Sequence, residues 1–124
     1  MSFALELPDS EIRDVSVDGA AVRLRFSAAA ARDEAGERGW LTSVLLEFAG
    51  ATVHGDTAHA FGKIAQASLR HGDRGVARLA VPGTLTRDLE LALHLANGTQ
   101  LVVRGDALEA SVAAGARFTP DLSC

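Results

Sequence analysis

The sequence is poor in the residues that staple small proteins or build familiar active sites. Its one cysteine, Cys124, is the last residue of 124, so neither an intramolecular disulfide nor a cysteine-based zinc site can be assembled. Tyrosine is absent and tryptophan occurs once, as Trp40, which removes the aromatic platforms that stack single-stranded bases. Lysine also occurs once, as Lys63, and the charges are interspersed at a net −4, so a nucleic-acid partner is not expected. No apolar run approaches the roughly 18 residues of a membrane span. The opening MSFALELPDSE has neither a basic nor an apolar leader region, so the expected address is the cytoplasm, without membrane contact. No phosphate-cradling or dinucleotide-binding glycine pattern is present, and no cofactor is implied.

What is there is alternation of apolar and polar residues with period two, broken by turn dipeptides. The length suits one domain, 1–124, able to bury a core without staples. In IRDVSV-DG-AAVRLRF, a two-residue loop at Asp18-Gly19 sets Val15 opposite Val22 and Asp14 opposite Arg23. In LELALHLANGTQLVVR, a two-residue loop mixes the faces. A three-residue loop, 96–98, with Gly98 left-handed, sets Leu93 against Leu101, Leu91 against Val103 and Glu90 against Arg104. Gly105-Asp106 reads as a third turn that places Val103 against Leu108. One dry face then carries Leu91, Leu93, Leu101, Val103, Leu108, Ala110 and Val112, and a wet face Glu90, His94, Arg104 and Glu109.

The remaining segments are coarser. FALEL (3–7), stopped by Pro8, reads as a short edge strand, and WLTSVLLEFAGATVH as one or two strands around Gly50. IAQASLR and GVARLAVP flank HGDRG as a hairpin, 82–88 reads as a loop, and GARF (115–118) as a last strand. SAAAARDEAGER (27–38) reads either as a short helix capped by Ser27 or as a strand to about Arg32 with a polar loop after it. The second is favoured, because an isolated two-turn helix is marginal. The expected architecture is all-β: an antiparallel β-sandwich or flattened barrel of about eight to ten short strands with at most one short helix.

Chemistry-bearing residues are few. HGDTAH (54–59) puts His54, Asp56 and His59 within six positions, and a second His-Gly-Asp follows at 71–73. His54 and Asp56 with a third histidine, His71 or His94, have the ligand types of a two-histidine, one-carboxylate metal site, the basis of a metal-dependent enzyme. Against this, Gly55-Asp56 reads as the turn that ends a strand, so exposed turn histidines are the favoured reading and no metal is assigned. Ser43, Ser68 and Ser111 sit in no nucleophile elbow, Cys124 has no scaffold to tune it, and Asp33, Glu34 and Glu37 read as solvated loop carboxylates. Trp40 reads as a rim plug or an interface anchor, and Phe3, in the edge strand, as a second interface residue. The small residues Ala65, Ala67, Ala77 and Ala80 would let sheets approach, or leave room for a ligand inside a barrel.

The segments GDRGVARLAVPG and LELALHLANGTQLVVRGDALEASV resemble a group of small bacterial all-β proteins of unknown function, in which a strand ending in a proline-containing loop precedes a closing meander. That resemblance covers the C-terminal half of the chain. It implies a β fold and a bacterial origin and carries over no catalytic residue. Together these readings favour a non-catalytic protein-interaction or small-ligand-binding module that forms a homodimer or meets another partner.

Overall fold

A computed structural model describes residues 2–121, so Cys124 lies outside the described residues. Eleven strands run in chain order: β1 Phe3–Asp18, β2 Ala21–Arg32, β3 Arg38–Leu41, β4 Val44–Ala49, β5 Thr52–Gly55, β6 Gly62–His71, β7 Arg74–Gly75, β8 Leu79–Val81, β9 Gly83–Leu95, β10 Gln100–Val112 and β11 Phe118–Pro120. One 3₁₀ turn, Thr57–His59, is the only helical element among them. Six strands, β1-β2-β4-β10-β9-β6, close an antiparallel barrel, because β6 returns to β1 through the pairs Glu11↔Lys63 and Ile12↔Gly62. The flattened-barrel expectation is met, with one strand more than its upper bound. No helix of the described residues is long and apolar enough to cross a membrane.

β1 and β2 extend beyond the barrel. Their far ends, residues 3–6 and 28–32, carry β8 on one side and β3 then β11 on the other, which makes a five-stranded side sheet β8-β1-β2-β3-β11. The 27–38 segment is therefore strand through Arg32 and then a loop. Period two wins over alanine's helix propensity because Ala29 and Ala31 face the core at 0% exposure, both paired to β3 and Ala31 also to β1. FALEL is not an edge, since Phe3–Leu5 pair with β8 while Ala4–Glu6 pair with β2. Pro8 does not end the strand. Residues 7–10 swell outward, with Asp9 at φ +71°, and Ser10 stands in for the missing ladder contact. Its buried hydroxyl donates to Glu6 O (2.8 Å) and accepts from Ala30 N (2.9 Å).

Leu5, Ile12, Leu24, Leu46, Phe48, Ile64, Leu91, Leu93, Leu101 and Leu108 fill the bore, each below 2% exposure. Eight strands give a barrel just wide enough for side chains to fill, and six give a narrower one, so the interior is core rather than ligand cavity. Ala65, Ala77 and Ala80 are exposed on the outer wall, whereas Ala67 is half-buried against the core; other small core residues are Ala29, Ala31, Ala51, Ala60 and Ala110.

The bulged turn at 96–98 has the expected register, Leu93↔Leu101, Leu91↔Val103 and Glu90↔Arg104, with Gly98 at φ +92°. The first hairpin is shifted by two residues. Its loop is Gly19-Ala20, so Val15 meets Leu24 and Asp14 meets Arg25, whose Nη1 lies 3.3 Å from Asp14 Oδ1. A shift of two preserves every face, which is why the apolar pattern could not distinguish the registers. Gly105-Asp106 is not a turn: β10 passes straight through it with a bulge between Gly105 and Ala107. Bulge and two-residue turn both reverse the inward parity, so the dry face survives although its cause differs. The 82–88 loop is likewise strand from Gly83, irregular at Arg87 and Asp88, which take φ +71° and +49° opposite the bulge. The Gly72-Asp73 hairpin exists but is short, since β7 has only two residues before the chain leaves for β8.

Ser10→Ala leaves the fully buried Ala30 amide without its acceptor and is expected to cost about 1–3 kcal/mol in urea unfolding. Ser68→Ala, on the exposed wall of β6, is expected to stay within about 0.5 kcal/mol of the parent. Equal effects from the two substitutions contradict the bridging role of Ser10.

Candidate functional site

HGDTAH forms an anchored strap. His54 ends β5 opposite Val102, and Asp56 caps the 3₁₀ turn by accepting from Ala58 N (3.0 Å). The other carboxylate oxygen of Asp56 lies 2.6 Å from His59 Nδ1. The strap is tied to the bulged turn: Asn97 Nδ2 donates to His59 O (3.0 Å) and Phe61 O (3.2 Å), and Thr99 Oγ1 donates to His59 O (3.1 Å). His71 Nε2 donates to Thr86 O (2.6 Å), and His94 is exposed beside Gln66 and Gln100. Among the described residues, no three His, Cys, Asp or Glu side chains are placed to hold a metal ion. The alternative set of His54 and Asp56 with a third histidine is thus not brought together, because Asp56 closes on its near neighbour His59 across a single turn. None of Ser43, Ser68 and Ser111 hydrogen-bonds a histidine among the described residues, so no nucleophile joins the Asp56–His59 pair.

The hydrogen bond from His59 holds the Asp56 carboxyl below its ordinary pKa, with the nearby imidazole charge and the Ala58 amide acting in the same direction. A carboxyl depressed in the folded state stabilises above its unfolded pKa, near 3.9, and loses that contribution as pH falls through the lower folded value. The stability difference between the parent and Asp56→Asn is therefore expected to shrink as pH falls below about 4, measured by urea unfolding across an acid series starting from about pH 5. A difference that grows toward acid contradicts this.

A different cluster lies on the outer face of the side sheet. In β3, Gly39 and Leu41 point inward, leaving Arg38 and Trp40 outward. Gly39 is required here, because a Cβ would meet Phe118 Cζ at 2.7 Å and crowd the Thr119 carbonyl. Phe118 packs against Phe3 with ring centroids 5.3 Å apart, and Phe3 is 8% exposed. Phe3 is thus mostly buried against Phe118.

Ladder registers place Glu6, Ala30, Trp40 and Thr119 in one outward row, and Ala80, Ala4, Arg32 and Arg38 in the next. Glu6 stands among three guanidiniums: Arg32 Nε and Arg38 Nε at 3.7 Å, and Arg78 Nε at 3.5 Å. Asp9, on the swelling of β1, holds Arg38 Nη2 and Lys63 Nζ, each at 3.5 Å. Arg32 Nη1 donates to Gly36 O (3.1 Å), and Arg38 Cζ lies 5.9 Å from the Trp40 ring centroid. Trp40 is half-buried, between the plug and the anchor expected of it. Planar cations and an indole on a flat face supply recognition and no proton-transfer chemistry.

Sequence reasoning singled out Trp40 but missed Glu6, Arg32, Arg38 and Arg78. Alternation marks them as outward residues, while their convergence depends on the β8-β1-β2-β3 register. A concave feature elsewhere, a cleft of about 440 Å³ on the barrel wall, contains Arg70, Asp88 and Asp106 beside the ion pair Arg104 Nε–Glu90 Oε2 (2.7 Å). Comparison with protein families, curated proteins and solved structures finds no match to this chain, so its function is read from the chemistry of these surfaces alone.

Proposed function

We propose that the chain is a non-catalytic protein-interaction module of a bacterial cytoplasm, and that its contact surface is the Trp40 face of the side sheet. The observation that carries this is the position of Trp40: the chain's one tryptophan stands half-buried on an outward face, in contact with Arg38. Tryptophan and arginine are the residues most enriched among those that dominate binding energy. The arginines are already restrained by Glu6, Asp9 and the Gly36 carbonyl, which reduces the side-chain entropy lost when a partner docks. Homodimerisation is the other form such a module takes. Stacking this face on its two-fold mate would set arginine against arginine, so self-association is better served by the outer edge of β11, which pairs with no further strand among the described residues.

A photoreactive residue in place of Thr119, exposed and directly beside Trp40 in the ladder, is expected to give a discrete protein adduct in the source cell. Arg38→Glu is expected to abolish that adduct, and Trp40→Ala to weaken capture by at least about 2 kcal/mol, roughly 30-fold. No adduct at 119, or an adduct indifferent to Arg38→Glu, overturns the assignment of the face.

A further inference from the structure

Resting on the reading of the Trp40 face as a contact surface, we propose that its partner is an acidic polypeptide segment whose carboxylates seat on Arg38 and Arg78, beside Glu6, while an apolar side chain packs on Trp40. The face holds four cations, Arg32, Arg38, Arg78 and Lys63, against the carboxylates of Glu6 and Asp9 and that of Asp121, whose amide donates to Arg38 O (2.9 Å), on a chain whose net charge is −4. Cationic excess here runs against the sign of the whole molecule, so it marks a local demand for anions.

The geometry of Glu6 sharpens that demand. Its three arginine contacts, at 3.5 to 3.7 Å, exceed the usual 2.7–2.9 Å of a charge-assisted hydrogen bond. One carboxylate is divided among three guanidiniums and closes on none of them. Arg32 Nε is buried without a hydrogen-bond acceptor among the described residues, an unfavourable state for a charged donor. A carboxylate arriving from outside can take the forks of Arg38 and Arg78, leaving Glu6 to move onto Arg32 Nε. Binding then satisfies donors at two places, the incoming group and the resident one.

The form of the face selects the class of partner. Among the described residues it is the outer face of a sheet, and its rows suit an extended chain that presents a side chain to each row. A continuous phosphate backbone fits less well. It would run over Glu6 and Asp9 within the face and along the Asp33, Glu34 and Glu37 loop at its border, whereas a peptide can space its charges to avoid them. A second copy of this chain is disfavoured because two of that loop's three acids are already engaged, Asp33 by the amides of Ala35 and Glu37 and Glu34 by Ser2.

Trp40, the sole tryptophan, is its own fluorescent reporter. The test titrates the full chain with a synthetic peptide of repeating Glu-Ser-Glu-Leu, and with the same peptide carrying Gln for Glu. The Glu peptide is expected to shift the Trp40 emission and to bind at least about tenfold tighter than the Gln peptide, with the difference lost at high salt. Arg78→Glu is expected to lower that affinity at least about tenfold with circular dichroism and thermal unfolding unchanged. Glu6→Gln removes the resident competitor and is expected to tighten binding, a direction that structural damage does not produce. Equal binding of the Glu and Gln peptides, weaker binding in Glu6→Gln, or preference for an oligothymidylate or for phosphatidylserine vesicles overturns the proposal. So does sedimentation showing Trp40 covered by a second copy. Failure of the Glu peptide while the position-119 adduct persists removes the acidic partner alone; loss of both removes the contact surface.

Discussion

The ladder between β1 and β2 is the constraint on which the other elements depend. Those strands, of 16 and 12 residues, are paired to each other at both ends and change their outer partners along the way. Near the Gly19-Ala20 turn they are barrel staves, flanked by β6 and β4; farther on they are the middle of the side sheet, flanked by β8 and β3. A strand that serves two sheets must bend, and the swelling at residues 7–10 takes up the bend. Ser10 makes that swelling tolerable by bridging Glu6 O and Ala30 N, two backbone groups of adjacent strands. The same swelling puts Asp9 outward, where it anchors Arg38 and Lys63. Barrel closure and the arginine face therefore share one local cause.

Much of the fold was legible because period two is a strong signal when one face is dry. The bulged turn at 96–98 was recoverable to the residue, since only one loop length kept Leu91, Leu93, Leu101 and Val103 together. The errors share a physical origin. Apolar patterning reports parity and says nothing about what reverses it, so the bulge at Gly105–Ala107 was read as a turn and the irregular start of β9 as a loop. A two-residue slip leaves parity untouched, which hid the true position of the first turn. Proline at position 8 misled for another reason: it interrupts a ladder locally, and the strand resumes beyond it.

The sites were less legible than the scaffold. HGDTAH attracted attention because histidine and aspartate are chemically conspicuous, yet its acid and base are consumed by each other and by the 3₁₀ turn. Glu6, Arg32, Arg38 and Arg78 carry no motif, since they come from three strands and the segment before β8. Only Trp40 gave a local signal, as a lone large aromatic in a chain with few. The strand of Phe3 looked like an edge and is paired on both sides.

The recognition proposed for this face requires β2 to be one continuous strand, so that Ala30, Arg32 and their partners in β3 are held by the barrel core rather than by a detachable flap. Residue-resolved amide hydrogen exchange tests this most directly. The account predicts that ladder amides of residues 28–32 exchange through the same global opening as those of 22–26, with equal free energies and equal sensitivity to denaturant. Independent, low-energy opening of 28–32 together with β3 and β11, while 22–26 stays protected, would contradict it.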